Sequence, residues 1–372
     1  MQMNTTDELI VAVRRGEMVV LLDDDTESSN EGCVAIGAEH CSADHINFMA
    51  RKARGLICLA LTEARCRQLA LPPMVEKGHG EKANFTLSIE ATVGISTGIS
   101  AADRARTVQA AVNQHAKAED IVQPGHIFPL AVQPGGVLNR AGHTEAASDL
   151  ARLAGLEPAA VIADIMNNNG ELARLAELVE FAAEHKLKIG SIADLIQFRA
   201  VNERTVKLIR DGQVETDHGP FRLRAYRDSY AGDIHLALTR GDIKADQPTL
   251  VRVHVGSTVR DMFATQAAGR ETWNIARCLQ RVADEGLGAV VLLAGSESED
   301  DILGGVDIAL GNAVVASPVA GGRGVYLTVG LGSQILRDLG VGKIRLMGAP
   351  IKYNAISGFD LEVMEHVEAG HE

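Results

Sequence analysis

The sequence predicts an α/β (α+β) fold in which helices cover mixed β-sheets. Short apolar runs of strand length alternate with amphipathic segments of helical period, and glycine-containing turns separate them. Residues 7–15 form the first predicted helix, with Leu9, Ile10 and Val13 on one face, and residues 18–22 follow as a buried strand. A chain of 372 residues is long enough for two domains, each with its own core.

The remaining elements of the first half continue this alternation. We expect Thr6 or Asp7 to cap the first helix and Ser100 or Asp103 a later one, because their side-chain oxygens can accept backbone N–H bonds. Further helices are predicted over residues 43–54, 104–116 and 172–185, and strands over residues 55–61, 85–91 and 161–166.

A polar and charged stretch near residue 200 predicts a domain boundary. We place a first domain at residues 1–200, a linker at 201–217 that contains an Asp211-Gly212 turn, and a second domain at 218–372. The second domain repeats the alternation, with predicted strands beginning at 218 and covering 250–255 and 289–293, and a helix over 271–285.

Composition excludes several classes of partner. A net charge of −13 argues against nucleic acid, whose phosphates bind basic surfaces. No apolar run reaches the length needed to cross a membrane, and the first residues lack the basic and apolar regions of a leader peptide. The five cysteines form no CxxC pair, which is typical of a reduced compartment. We therefore expect a cytoplasmic protein.

The run from 137 to 146 is the most informative motif of the chain. Arg140 suits a phosphate group, whereas His143 and Glu145 suit metal or proton chemistry. Small neighbouring residues let the backbone approach a charged ligand closely. The candidate substrate-binding residues of this run are Arg140, Ala141, Gly142, His143 and Thr144. Taken alone, the motif is also compatible with an ordinary loop.

An acidic stretch directly follows the first predicted strand. It includes Asp25, Glu27 and Glu31, and such a run is usually a solvated loop. Its place at the end of an apolar strand makes a cation site the functional alternative, because carboxylate oxygens are the ligands that hard divalent ions prefer.

Four motifs in a fixed order carry a resemblance to a known family. They are Asn30-Glu31-Gly32, Ser96-Thr97-Gly98, Pro124-Gly125-His126 and the run from Gly135 to Ala146. Together they resemble 3,4-dihydroxy-2-butanone 4-phosphate synthase of riboflavin biosynthesis, over residues 5–199. The later stretches Thr249–His254, Gln334–Val341 and Pro350–Tyr353 resemble GTP cyclohydrolase II. The whole chain thus resembles the fused enzyme that makes both riboflavin precursors.

The resemblance implies a reaction and a set of roles. Ribulose 5-phosphate would be converted to formate and a four-carbon phosphate with the help of Mg²⁺. Arg140 and Thr144 would contact the substrate, and His143 the metal. Glu31 and Asp164 would be the catalytic acids. The family further implies a homodimer in which His143 meets the acidic loop of the partner.

Two further residues of these motifs have open interpretations. By resemblance Thr97 lies near the substrate, although a turn that leads into a helix is an equally good explanation of its hydroxyl. His126 belongs to a family motif, and we favour a structural turn for it over a catalytic role.

The first domain departs from the family at several site positions. Ser28 and Ser29 stand where the family has the Arg and Glu that bind the sugar phosphate and the metal. Cys33 stands where it has the Asp that binds the substrate, and Asp164 where it has Glu. A serine hydroxyl brings no charge to Mg²⁺, and a thiol is softer than this ion selects. The loop is also one residue longer, so that Glu27 or Asp25 could serve as a replacement ligand.

The second domain lacks the zinc ligands that the resemblance implies. The three cysteine positions of the cyclohydrolase correspond to Ser257, Ala268 and Arg270. Alanine cannot ligate a metal, and arginine would repel one. We therefore expect no zinc and no cyclohydrolase activity.

Several functions remain compatible with the sequence. Our first interpretation is a homologue with weak or no synthase activity and an auxiliary role, which would bind pathway ligands or act on an active paralogue. The second is a working Mg²⁺-dependent synthase, in which Glu27, Asp25 and Asp164 replace the missing groups of the family's site. The third is a different Mg²⁺-dependent lyase or isomerase acting on a related sugar or keto compound. The fourth is a purely structural dimer partner.

Overall fold

A computed structural model describes residues 3–23, 30–75, 84–230, 232–266, 272–295, 297, 299–312, 330–348 and 359–369. The chain divides into two compact units, Met1–Phe198 and Arg199–Glu372. Each unit contains a mixed β-sheet with helices packed against it. This architecture confirms the predicted fold class.

Seven of the described strands form the sheet of the first unit. They are β1 (Val19–Asp23), β2 (Glu31–Gly37), β3 (Cys58–Thr62), β4 (Ile89–Ala91), β5 (Ile121–Val132), β6 (Ala160–Asp164) and β7 (Lys188–Ser191). Their order across the sheet is β4-β5-β3-β6-β2-β1-β7. The β3–β5 and β1–β7 pairs are parallel, and the others are antiparallel.

The helices of this unit follow the predicted alternation. They are α1 (Thr6–Arg14), α2 (Ala43–Phe48), α3 (Glu63–Gln68), α4 (Ala101–Val112), α5 (His143–Leu153), α6 (Leu175–His185) and α7 (Ile192–Asn202), within which the boundary between the units falls. Ser100 caps α4, as predicted. The cap of α1 is Thr5 rather than Thr6 or Asp7, because Thr5 and Glu8 form a reciprocal capping box.

The two faces of the first sheet pack against different helices. On one face, Val34 of β2, Val161 of β6 and Leu59 of β3 share a core with residues of α2, α4 and α6. Because side chains alternate along a strand, the residues next to these three in their strands point to the opposite face, and Cys33 is one of them. Helix α5 crosses that opposite face and contacts β1, β2, β3, β5 and β6.

The second unit has a sheet of seven described strands and three described helices. The strands are β8 (Val206–Thr216), β9 (Gly219–Asp228), β10 (Ile234–Arg240), β11 (Pro248–Val255), β12 (Gly288–Leu293), β13 (Lys343–Met347) and β14 (Glu362–Val367), in the order β14-β13-β11-β12-β10-β9-β8. The helices are α8 (Ile275–Glu285), α9 (Glu299–Leu310) and α10 (Gly332–Asp338). The β14, β13, β11 and β12 strands are parallel neighbours.

The predicted linker at 201–217 is wrong. Most of it is strand β8, which pairs with β9 along its whole length, and Asp211-Gly212 lies inside that strand instead of forming a turn. Asp211 accepts hydrogen bonds of 2.7 Å from Arg222 on β9. An edge strand with solvated side chains has the same polar composition as a linker, which explains the error. Among the described helices, none is long and apolar enough to cross a membrane.

Candidate functional site

Three of the predicted site residues lie at the same end of the central strands β2 and β6. We call this end of the strands the sheet edge. Strand β2 begins at Glu31, and Cys33 on that strand is the direct cross-strand partner of Asp164, the last residue of β6. Cross-strand partners point to the same face of a sheet, so Cys33 and Asp164 share the face that α5 covers. Asp164 is exposed, whereas Cys33 is fully buried.

Cys58 joins this edge and was not predicted. It pairs with Ile162, two residues before Asp164, and therefore points to the same face as Asp164 and Cys33. Burial raises the pKa of the Cys58 thiol to about 12. Burial also raises the pKa of Cys33 well above its usual range, and the charge of Asp164 adds to the effect. Both thiols are therefore neutral at pH 7 and supply no anion to a cation.

A close backbone contact fixes the end of β6. The Gly55 N–H donates to the carbonyl oxygen of Asp164 at 3.1 Å, and a Cβ atom on Gly55 would lie only 2.3 Å from that oxygen. Any side chain at Gly55 would push the Asp164 backbone away. Gly55 thus fixes the backbone from which the Asp164 side chain projects.

Glu31 has a basic partner that the sequence analysis missed. The Arg174 Nη1 atom lies 3.3 Å from Glu31 Oε1. Arg174 immediately precedes α6, and its backbone N–H donates to Glu177 Oε2 at 3.0 Å, so the main chain is fixed independently of the guanidinium. The other loop positions of the prediction, Asp25, Glu27, Ser28 and Ser29, lie outside the described residues.

The predicted substrate-binding run forms a second cluster around a buried carboxylate. Glu145 is fully buried, and its Oε2 atom lies 3.2 Å from Arg140 Nη1. Its Oε1 atom accepts the Gln133 N–H at 3.2 Å. A Cβ atom on Gly142 would lie 2.8 Å from Glu145 Oε2, so any side chain there would displace this carboxylate oxygen. Burial raises the pKa of Glu145, while the charge of Arg140 opposes the shift.

The loop before this cluster is attached to the second turn of α5. Gly136 adopts a φ of 60°, and a Cβ atom there would lie 2.3 Å from Asp149 Oδ2. The same oxygen accepts the Val137 N–H at 2.8 Å. These contacts hold the segment that leads to Arg140 and Ala141 against the helix.

The first turn of α5 carries the predicted metal ligand. His143 is its first residue, Thr144 is buried, and no side chain among the described residues caps the helix at Gly142. The buried His143 Nε2 atom has no hydrogen-bond partner within the described part of the chain. Buried polar atoms of this kind normally have a partner, and a lone imidazole nitrogen fits a metal or a ligand.

The donors available to Mg²⁺ are few but of suitable type. Within the described ranges, no three His, Cys, Asp or Glu residues converge on one metal position. Mg²⁺ keeps several waters and usually takes only one or two carboxylates in addition to substrate oxygens. Glu31 and the open nitrogen of His143 therefore fit this ion as separate contributors.

Thr97 lies in a tightly held turn. The Asp103 carboxylate accepts hydrogen bonds from the Ser96 N–H at 3.2 Å, the Ser96 hydroxyl at 2.8 Å and the Gly98 N–H at 3.0 Å. The Thr97 side chain itself is exposed. The turn is therefore structural, and the exposed hydroxyl stays available to a ligand.

A carboxylate–imidazole pair lies directly beneath this turn. His126 Nδ1 is 2.6 Å from Glu90 Oε1, and the His126 ring is partly exposed. Gly98 has a φ of 81°, and a Cβ atom there would lie 1.5 Å from the same Glu90 oxygen. Glu90 was not predicted, because 36 residues separate it from His126 and only the β4–β5 pairing brings them together.

The part of the second unit that corresponds to the zinc site of the cyclohydrolase family contains a different polar cluster. The Ser257 N–H donates to Asp261 Oδ2 at 2.8 Å, the same oxygen lies 2.8 Å from His254 Nε2, and the Arg260 guanidinium is 3.2 Å away. A guanidinium at this position and an engaged imidazole do not fit zinc. Ala268 and Arg270 lie outside the described residues.

Sequence comparison matches two families in succession. The profile of 3,4-dihydroxy-2-butanone 4-phosphate synthase covers residues 7–198, and that of GTP cyclohydrolase II covers residues 207–368. A 3,4-dihydroxy-2-butanone 4-phosphate synthase of Pseudomonas aeruginosa is 53% identical over 370 residues, spanning 99% of this chain and 100% of the relative. The riboflavin biosynthesis protein RibBA of Aquifex aeolicus is 43% identical, spanning 98% of this chain and 92% of the relative.

Solved structures give the same result. RibBX of A. baumannii, described as a two-domain 3,4-dihydroxy-2-butanone 4-phosphate synthase, superposes with a TM-score of 0.83 at 45% identity, covering 98% of this chain and 99% of that one. The synthase of Candida albicans superposes with a TM-score of 0.50 at 36% identity, covering 53% of this chain and 98% of that one. This chain therefore belongs to the 3,4-dihydroxy-2-butanone 4-phosphate synthase family of riboflavin biosynthesis, in the form that carries a GTP cyclohydrolase II-type domain after the synthase domain.

Proposed function

We propose that the chain is a working Mg²⁺-dependent synthase that converts ribulose 5-phosphate to 3,4-dihydroxy-2-butanone 4-phosphate and formate. The observation that carries the proposal is the pairing of Arg140 with the fully buried Glu145. A buried carboxylate is costly unless it is paired and hydrogen-bonded, and holding a guanidinium in place is a reason to keep one. Relatives that align over almost the whole chain and are named as this synthase support the same function.

The start of α5 has the properties of a phosphate site. Arg140 brings a positive charge, and the buried Thr144 contributes a hydroxyl. The helix N-terminus adds N–H groups and a partial positive charge, which favour a bound anion. We assign the phosphate of the substrate to this cluster, with Ala141 and Gly142 allowing its close approach.

The sheet edge supplies the groups that handle protons and charge. The exposed Asp164 carboxylate is suited to remove a proton next to the substrate carbonyl, and the neutral thiols of Cys33 and Cys58 beside it do not compete for that proton. Glu31, which the resemblance gives as a catalytic acid, is proposed here as a ligand of Mg²⁺ together with His143. The ion would supply positive charge that stabilises an enediolate. His126, oriented by Glu90 at 2.6 Å, is a second candidate for acid–base chemistry.

We infer that the complete site requires two copies of the chain. The resemblance to the synthase family supports this inference, because it implies a homodimer in which His143 meets the acidic loop of the partner. A homodimer in which Glu31 of one protomer approaches His143 of the other would bring the two sets of ligands together. A cytoplasmic location, the absence of zinc, and a paralogue as partner stay predictions.

One observation favours a second candidate, the homologue with weakened synthase activity. Cys33 is buried and neutral where the family has an aspartate, and it is the direct partner of Asp164. A lost carboxylate at this edge removes a group that could contact the substrate. Misplacement of reacting groups by about 1 Å can slow a reaction on the order of 100-fold.

A formate assay separates the two candidates. The purified protein is incubated with ribulose 5-phosphate and Mg²⁺, and formate is measured with and without a chelator. Release by the natural sequence that the chelator abolishes supports the working synthase. Arg140→Gln should then reduce kcat/KM about 10- to 100-fold, because a charged hydrogen-bond donor to phosphate is lost. The matched control is Arg67→Gln, which removes an exposed arginine paired with Glu63.

The triple variant Ser28→Arg, Ser29→Glu, Cys33→Asp tests the second candidate. If the natural sequence is silent and the triple variant releases formate, the chain is a weakened synthase. If neither protein releases formate, while both keep their thermal stability, the working synthase is excluded, and the three substitutions alone do not account for the lost activity.

A further inference from the structure

The Arg174–Glu31 pair stands where the proposed metal ligand emerges from the acidic loop. Glu31 is the first residue of β2, and its carboxylate lies 3.3 Å from Arg174 Nη1. The carboxylate oxygen that accepts this guanidinium N–H is less available to another cation. The same oxygens are those that a divalent ion would need.

We propose that Arg174 is an internal counter-ion that competes with the divalent cation for Glu31 and positions this carboxylate when no metal is bound. The inference rests on the proposed function, in which Glu31 is a metal ligand. Arg174 is a positioning residue in this scheme, because it acts on the metal only through Glu31.

The exposure of the pair determines how strongly it can compete. The side chain of Glu31 is 39% exposed and that of Arg174 is 53% exposed. Ion pairs as exposed as this one change an equilibrium constant by only about two- to fivefold. Arg174 can therefore yield Glu31 to a divalent ion.

The main chain at Arg174 is held independently of the side chain. Its backbone N–H donates to Glu177 Oε2 at 3.0 Å at the start of α6. A substitution that keeps the backbone unchanged therefore removes the counter-ion without removing the cap. Arg174→Gln removes the charge, and Arg174→Lys keeps it.

Binding of Mn²⁺ to the full-length protein, followed by electron paramagnetic resonance, tests the proposal without any turnover. Arg174→Gln should tighten Mn²⁺ binding about two- to fivefold, and Arg174→Lys should stay close to the natural sequence. Arg67→Gln, which breaks a similarly exposed pair with Glu63, should leave the affinity unchanged. In a Glu31→Gln background, Arg174→Gln should have no further effect, because the shared carboxylate charge is gone.

An unchanged or weaker Mn²⁺ affinity in Arg174→Gln overturns the proposal, and so does an equal change in the Glu31→Gln background. The formate assay distinguishes this failure from failure of the proposed function. If formate is released but Arg174→Gln does not change Mn²⁺ binding, only the counter-ion proposal is refuted. If Mn²⁺ binding tightens but no formate is released, only the proposed synthase activity is refuted.

Discussion

Arg140 Nη1 lies 3.2 Å from Oε2 of Glu145, a carboxylate that is fully buried beneath the first turn of α5. The arginine is partly exposed, so the two partners carry very different desolvation costs. Glu145 bears most of the cost of the pair, and Arg140 gains a fixed position from it. The relationship suggests that stability is given up here for the placement of a phosphate-binding group.

Glu145→Gln should therefore separate stability from binding. The amide can still accept the Gln133 N–H and no longer carries a buried charge, so we expect unfolding in urea at pH 7 to occur at the same or a higher concentration than in the natural sequence. Arg140 loses its anchor, and the KM for ribulose 5-phosphate should rise on the order of 10-fold. Glu63→Gln, which removes an exposed carboxylate, is the control for both measurements.

The difference in stability between the natural sequence and Glu145→Gln should change with pH in a defined direction. Because burial raises the pKa of Glu145, its contribution to stability is fully present below the ordinary glutamate pKa and is lost as pH rises through the folded value. The natural sequence should lose stability relative to Glu145→Gln as the pH increases from 4 to 7. A constant difference over this interval would contradict the assignment of a costly buried charge.

Gly142→Ala tests whether the close approach at the start of α5 is required. The new methyl group would lie 2.8 Å from Glu145 Oε2, so the carboxylate or the backbone must shift. We expect a loss of about 1–3 kcal/mol of unfolding free energy, typical of overpacking, and a higher KM for ribulose 5-phosphate. Gly212→Ala is the matched control, because no atom lies within 4 Å of its Cβ position. Equal effects of the two substitutions would exclude a special role for Gly142.

The sequence alone was sufficient to predict the site residues that lie close together along the chain. Arg140, Gly142, His143 and Glu145 belong to one run, and a helix start brings them together. The pairs Glu31–Arg174 and Glu90–His126 instead connect residues that are 143 and 36 positions apart. Strand pairing and helix packing create such contacts, and a single sequence does not specify them.

The fold was predictable to a similar extent and for related reasons. Strands buried on both faces, such as β1 and β6, have an apolar signature that sets them apart from loops. Strand β8 lies at the edge of its sheet with mostly solvated side chains, and its composition is that of a linker. Cross-strand ion pairs such as Asp211–Arg222 stabilise it, and these are visible only once the strands are paired.

All five thiols should be unreactive in the native protein. Each cysteine is free and buried, and burial raises the pKa to about 12 for Cys41 and Cys58 and to about 11 for Cys66 and Cys278. The thiolate is the reactive form, so at pH 8 an aromatic disulfide reagent should label less than one thiol per chain within minutes. In urea all five should react. Rapid labelling of one or two thiols in the native state would contradict their burial.

The cluster at Asp261 should make the second unit sensitive to acid. Burial alone would raise the pKa of this carboxyl, but hydrogen bonds from His254, Arg260 and the Ser257 N–H hold it well below its usual range. A carboxyl with a depressed pKa stabilises the fold at pH values above its unfolded pKa, and this contribution is lost as the pH falls through the folded pKa.

Trp273 is the single tryptophan of the chain and lies in this unit, so its fluorescence reports the unfolding of this unit specifically. Asp261→Asn should lower the unfolding free energy at pH 7 by about 1–3 kcal/mol, because an amide N–H₂ group then faces N–H donors. The difference in unfolding free energy between the two proteins should narrow as the pH falls below the ordinary aspartate pKa towards the depressed folded value. A difference that stays constant over this range would show that the ionised carboxylate does not stabilise the second unit.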